Sequence, residues 1–407
     1  MKNEDIEKFN KIFPIYSGLS GDLLFWVAID SLFLTVVKQF TASQIVSVTS
    51  ISLIVCILLQ IPILKIIKVL GNTKSVRLGS FLLLLSSLLL TFGNNYAIVV
   101  LGKVFSEIAF TFQNMTSAIL KNNLSLQQRD KEYIQIKTKS NTIYAIATMV
   151  ISFIASPMFN YNNYLPMLGC IFFCFICFIL SFYIVDFSKY DKIESEGEKK
   201  EKSKIIYNKV IIMMIISYGL FYPIINSGQS NGKLFIQQEL LKIFDVDKTA
   251  LIIGAILCTS RVVRVASNLA FNKIHNKYKD KVGVILPVFL CCSIVFMIVG
   301  SFISSNIIIK FTIMSIGYII ILFIRDPFKV YIQDLALNSV GKKEQQSLLT
   351  TIELSRKIGR AIMSLCFTLI LINNPMIVVI SILLILSVIE IIISIKLYRL
   401  VLISKVI

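Results

Sequence analysis

The chain has 407 residues, of which 56% are hydrophobic and only 16% charged, and its mean hydropathy is +0.79. A water-soluble domain is about 45–50% apolar and about 25% charged. The excess here comes as repeated apolar runs of roughly twenty residues, which excludes a soluble protein and reads as a polytopic helical membrane protein. The formal charge of +18, from 41 basic and 23 acidic residues, raises the question of a nucleic-acid partner. The basic residues fall in alternate loops rather than on one face, which is the positive-inside pattern of a membrane protein, and nucleic-acid binding is set aside.

In chain order, the opening MKNEDIEKFNK is mixed in charge, and the apolar run after it is too long for a cleaved signal and lacks a small-residue cleavage site. The first helix is therefore expected to stay as an anchor in a cell membrane. Twelve transmembrane helices are predicted, at about 15–37, 44–64, 76–93, 96–120, 140–158, 166–186, 209–232, 249–271, 283–303, 306–331, 350–372 and 376–396. The connections KIIKVLGNTKSVR, KNNLSLQQRDKEYIQIKTK, the 187–208 stretch, NKIHNKYKDK and NSVGKKEQQ are basic, whereas GNNY, NYNNY, SSN and NNP are short and uncharged. That alternation places both termini on the cytoplasmic side. The 187–208 stretch is dense in mixed charge and poor in bulky apolar residues, so it is expected to be a solvated linker. It separates an N-terminal six-helix bundle, 1–186, from a C-terminal one, 209–407. The outer connection LFIQQELLKIFDVDKT is expected to form a short amphipathic helix at the membrane interface.

The halves are related. Leu64 to Leu82 and Asn272 to Leu290 align without a gap at an offset of 208 (273 minus 65), pairing Lys65 with Lys273, Val76 with Val284, Leu78 with Leu286 and Phe81 with Phe289. Six spans, a charged linker, six more spans and basic loops after spans two and eight resemble the major facilitator superfamily along essentially the whole chain. In the loop after the second helix, Gly71 matches the family's second glycine, and Lys74 and Arg77 supply its basic positions. Leu64 stands where the first glycine is expected and Lys68 where an aspartate is expected, so the charge lock of that motif is put in doubt. In the fourth helix Lys103 and Glu107 occupy the places of the family's arginine and glycine. The resemblance implies two parallel six-helix repeats and transport by alternating access between them.

Charges near the bilayer centre cost about 2.5–3.5 kcal/mol each on insertion scales and are expected to face the bundle interior or water. Asp22, Trp26 and Asp30 lie within about an 80° arc of the first helix at 100° per residue. A carboxyl in a poorly hydrated cavity holds its proton to higher pH, so Asp22 and Asp30 are either proton-coupling sites or structural partners of a neighbouring cation. Lys103 and Glu107, one turn apart, either neutralise each other or leave Glu107 as a further protonation site. Arg261 and Arg264 sit about 60° apart on the eighth helix, and Arg325 and Asp326 precede Pro327, which is expected to loosen the tenth. Arg261 is the first choice for gripping an anionic group of a substrate, with pairing to an acid as the alternative. Glu353, Arg356 and Arg360 form a ladder entering the eleventh helix, read as a gate. Tyr218, Tyr222, Asn226 and Gln229 make a polar stripe on the seventh, beside Pro223 and Gly228, which are expected to interrupt it.

The eight cysteines all lie inside apolar segments. Cys170, Cys174 and Cys177 share a helix face but lack histidine or carboxylate partners, so they read as small buried hydrophobes rather than metal ligands. One histidine and no phosphate-cradling glycine loop argue against an enzyme, and no cofactor or metal is expected. The expected function is secondary active transport of a small organic solute by a monomer in the lipid bilayer, coupled to protons, with efflux of drugs or metabolites favoured. Uptake or exchange of an organic anion by the C-terminal arginines is the alternative.

Overall fold

The computed structural model describes residues 2–129, 132–188, 208–340 and 345–406, and these are helical almost throughout, with no strand among them. They gather into two compact units, Met1–Phe40 with Ile51–Lys199, and Thr41–Ser50 with Lys200–Ile407. The stretch 187–208, expected as a linker, lies outside the described residues for all but its ends.

In the first unit, α1 (Lys2–Leu19) and α2 (Leu24–Leu32) pack on α7 (Tyr133–Tyr161), and α4 (Gln60–Phe92) packs on α5 (Tyr96–Gln113) and α8 (Leu165–Ser181). α6 (Met115–Leu126) extends α5 past a turn at Asn114, and α3 (Ala42–Leu58) precedes α4. Phe9, Phe13 and Tyr16 of α1 are buried against Val76, Ile119, Leu120 and Leu124, and the Tyr16 hydroxyl meets Ser80 Oγ at 2.7 Å. In lipid no hydrophobic force drives helices together, so close packing and such hydroxyl contacts hold them.

In the second unit, α9 (Lys209–Leu241) is the central element. α13 (Gln345–Asn373), α14 (Met376–Val406) and α12 (Ile307–Ser339) pack on it; α11 (Val282–Phe302) packs on α12 and α14, and α10 (Val246–Tyr278) on α12. Phe221 and Phe328 stack with ring centroids 3.6 Å apart at its core. Nine helices among the described residues are long and apolar enough to cross a membrane. Large apolar side chains on their outer faces, Phe153, Leu269 and Phe302 among them, are two-thirds or more exposed, as a lipid-facing surface requires.

Four expectations need correction. The first span is not continuous: α1 ends at Leu19 and α2 starts at Leu24, with Leu23 at φ −79°, ψ 85° between them. The Ser20-Gly21-Asp22 turn signal prevails over the apolar run around it. Conversely, α9 runs unbroken through Pro223 and Gly228, and α12 through Pro327. A proline removes one backbone hydrogen bond, and tight packing makes up for it. At α9 the carbonyl that Pro223 cannot serve, Gly219 O, is met by Gly359 of α13, where an added Cβ would collide with that oxygen. The segment Leu234–Leu241, expected as part of an outer interfacial helix, is the end of α9, with its apolar residues buried up to Leu240, and not a separate helix.

The fourth correction concerns the two repeated basic loops, which are helical up to a corner residue in each. The chain turns at Gly71, with φ 79° and ψ 171°, a region open essentially to glycine alone. In the second unit α10 runs to Tyr278, and Lys279 takes φ 46°, ψ −129° before a short 3-10 turn. Subtracting 71 from 279 gives 208, the offset of the sequence repeat, so the two corners are equivalent positions.

Candidate functional site

The second unit gathers polar groups from three helices. From α9, Tyr218 and Tyr222 lie with ring centroids 5.1 Å apart, both buried. From α13, the Arg356 guanidinium sits 5.3 Å from the Tyr222 ring centre, and from α12 the Arg325 guanidinium lies 6.0 Å from it. One aromatic ring is thus in range of two cations. Arg325 Nη1 donates to Gln229 Oε1 at 2.8 Å, so a neutral carboxamide aims this guanidinium. Glu353 accepts from the Tyr218 hydroxyl at 3.2 Å, pairs with Arg356 at 2.7 Å and has Lys329 at 3.8 Å. The stripe expected on α9 is therefore one face, and the gate residues Glu353 and Arg356 meet it rather than standing apart. Asn226 belongs to the same face, and its Nδ2 is buried with no hydrogen-bond partner among the described residues.

Arg264 and Asp326 form a separate, two-pronged pair, Nε to Oδ2 at 2.6 Å and Nη2 to Oδ1 at 3.0 Å, to which Asn268 adds a bond of 3.1 Å. Such a fork fixes α10 against α12 and occupies the guanidinium. Arg261, three residues earlier, is 6% exposed. Arg325 and Asp326 are adjacent in sequence yet serve different neighbours.

In the first unit, Asp22 sits in the α1–α2 break. Its carboxylate accepts from its neighbour's amide, Leu23 N, at 2.9 Å and from the Tyr144 hydroxyl at 3.4 Å, and no ion pair reaches it from the described residues. Trp26 is buried one turn on, and Asp30 accepts from Ser31 N at 2.6 Å. Lys103 and Glu107 pair at 3.0 Å along α5. Lys65 and Lys273 are exposed, whereas Arg77 stacks over the Phe182 ring at 5.3 Å. The cysteines of α8 are buried, and no group of three histidine, cysteine or carboxylate side chains suited to a metal occurs among the described residues.

Sequence reasoning passed over four features. Lys38 donates to Thr91 O at 2.8 Å above the Phe33 ring. Glu239, at the outer end of α9, is held by Lys310 at 2.6 Å and by Lys242. Asp186 closes the missing charge lock by another route: its Oδ2 accepts from Asn72 at 2.9 Å and Asn122 at 2.8 Å, and Thr73 Oγ1 accepts from its backbone N–H. Glu390 is wholly buried in α14. Of these, only Glu390 carried a sequence signal, as the one acid in a long apolar run.

A family model described as Major Facilitator Superfamily matches residues 16–364, well over half of the chain. The chain belongs to the major facilitator superfamily. Among solved structures, this superfamily member is similar to a point variant of the nucleoside transporter NupG, with TM-score 0.77 and 12% identity over 96% of this chain and 99% of that one. It is also similar to a bacterial homologue of the iron transporter ferroportin in an inward-facing state, with TM-score 0.71 and 13% identity over 97% and 98%. A bacterial metal transporter matches at TM-score 0.67 and 12% identity over 96% and 98%. At such identities the likeness establishes the fold alone. No curated protein matches the sequence. The protein is thus a multi-pass membrane transporter of this superfamily's fold.

Proposed function

We propose that the protein is a proton-coupled secondary transporter that moves a small organic solute carrying an anionic group by alternating access. In this reading it has twelve spans, counting α3, α8 and α13 with the nine long apolar helices, and both termini on the cytoplasmic side of the cell membrane. It works as a monomer of two six-helix bundles, 1–186 and 209–407, and export is its direction. The observation that carries the solute class is Tyr222 with the Arg325 and Arg356 guanidinium groups over it. A guanidinium aimed by a carboxamide grips a carboxylate or phosphate through two parallel bonds, and the adjoining ring accepts the flat organic body. On the proton side, Asp22 at a helix break, next to a tyrosine hydroxyl, is the acid best placed to gain and lose a proton, with Asp30 and Glu107 as further members.

The test is transport into proteoliposomes of an aromatic carboxylate and of its neutral amide, chosen from a thermal-shift screen. Arg325→Ala is expected to weaken the carboxylate by about 1.5–3 kcal/mol, roughly ten- to a hundredfold, and to change the amide little. Equal losses for both solutes overturn the anion reading. Asp22→Asn is expected to abolish accumulation driven by a pH gradient while leaving exchange. Gradient-driven accumulation at the wild-type level in that variant removes Asp22 from the coupling.

A further inference from the structure

Glu390 is the most deeply enclosed carboxyl side chain among the described residues, at 0% exposure on α14. Its Oε1 accepts from Ser217 Oγ of α9 at 2.6 Å and from Ser394 Oγ, one turn along α14, at 2.9 Å. Its Oε2 is buried and has no hydrogen-bond partner among the described residues. Among those residues no ion pair joins it to the elements packed on α14. On α9 the nearest titratable side chain along the helix, Tyr218, turns its hydroxyl to Glu353. On α13, Glu353 and Arg356 bond to each other, with Lys357 and Arg360 further along, and α11 offers only Cys291 and Cys292. The 3-10 turn that also touches α14 carries Lys279, Asp280 and Lys281, and α14 itself carries Lys396 and Arg399 beyond Ser394. Among the described residues, the hydrogen bonds to the Glu390 carboxyl come from the two serines alone.

An ionised carboxylate offers about four lone-pair sites, and two hydroxyl donors fill half of them here. Enclosing the charge without a cation costs several kcal/mol even after relaxation, whereas a neutral acid with one oxygen left over costs about 1–3 kcal/mol. The enclosure therefore suits the neutral acid. Release of its proton calls for water or a cation at Oε2, and neither reaches it unless α14 and its neighbours part. We propose that Glu390 is a proton-binding site of the second unit, and that it gives up its proton only when the packing of α9 and α14 around Ser217 loosens. The site is separate from the aromatic–guanidinium group and from Asp22, and it stands whatever the solute.

The test uses the full-length protein in lipid vesicles without solute. At neutral pH the infrared spectrum is expected to show a protonated-carboxyl C=O band that shifts in D2O, is missing in Glu390→Gln and is moved in Glu390→Asp. On raising the pH, hydrogen exchange around Ser217 and Ser394 is expected to rise by roughly tenfold beyond the intrinsic rate in the wild type, and to stay flat in Glu390→Gln. Should Glu390→Gln fail to fold, Ser217→Ala serves: with one donor lost, the carboxyl band moves to higher frequency. A neutral-pH band unchanged in Glu390→Gln, exchange that follows pH alike in both proteins, or a band indifferent to Ser217→Ala overturns the proposal.

Discussion

Asp186→Ala tests whether an amide–carboxylate latch has taken over from the family's missing acid. Asp186 is 5% exposed and joins three parts of the first unit: the corner at Asn72, α6 at Asn122, and the segment after α8 that carries it. Its bonds to Ser188, two residues on, are local and survive in any nearby conformation. The two amide bonds are not local, and each hydrogen bond to a charged group contributes about 1.5–3 kcal/mol. Asn72 and Asn122 are half-buried, so water recovers part of that loss, and about 2–3 kcal/mol remains. For a unit of this size that corresponds to about 5–10 °C in the unfolding midpoint. The assay is thermal unfolding of the detergent-purified protein, followed by a thiol-reactive dye that reports the buried cysteines of α8. Asp186→Asn keeps an acceptor and should fall in between. In a double-mutant cycle Asn122→Ala should couple to Asp186→Ala by about 1 kcal/mol, because the second change removes a bond already lost. A shift below about 2 °C, or fully additive effects in the cycle, would show that these contacts do not bear on stability.

Two further outcomes follow from the corner and from the buried pair. Lys279→Gly should raise the unfolding midpoint by an amount worth about 1 kcal/mol, since a lysine is held there at φ 46° where glycine sits without strain; Gly71→Ala should lower it for the converse reason. No gain in Lys279→Gly would mean that the lysine side chain itself anchors the turn. Asp326→Leu, which strands a guanidinium about one-fifth exposed, should cost about 2–4 kcal/mol, and Arg264→Leu with Asp326→Leu should recover most of it. Denaturation of the two variants side by side checks this, and a double variant no better than the single one refutes it.

The bundle was legible because bilayer thickness fixes helix length and charge asymmetry separates the loops. The repeat offset pairs Gly71 with Lys279, but the sequence reads both stretches as loops, and only the backbone shows that each is a corner. What the sequence concealed was of another kind. Asp186 is the last residue of the sixth predicted span and lies past the end of α8, and its partners are 114 and 64 residues away, so no periodicity links them. Pro223 and Gly228 read locally as an interruption of α9, yet the helix runs unbroken through both, packed by neighbours on several sides. The Ser20-Gly21-Asp22 break was masked by the apolar residues flanking it. In each case the tertiary environment overrode a local preference, and a single sequence records the preference but not the environment.

The same distinction sorts the charges inside the membrane. Each of them costs a few kcal/mol to place there, and a fold can offset that with an opposite charge. Lys103 with Glu107, Arg264 with Asp326, Lys310 with Glu239 and Arg356 with Glu353 are offset in this way, at 2.6–3.0 Å. Exchanging such a pair for apolar residues of similar volume often leaves stability nearly unchanged. Two acids are met by neutral partners instead: Asp22 by a tyrosine hydroxyl and an amide, and Glu390 by two serines. A neutral partner orients a charge without cancelling it. Residue type alone could not separate Arg264, held in a two-pronged pair with Asp326, from Arg325, which donates to the carboxamide of Gln229; the partners do.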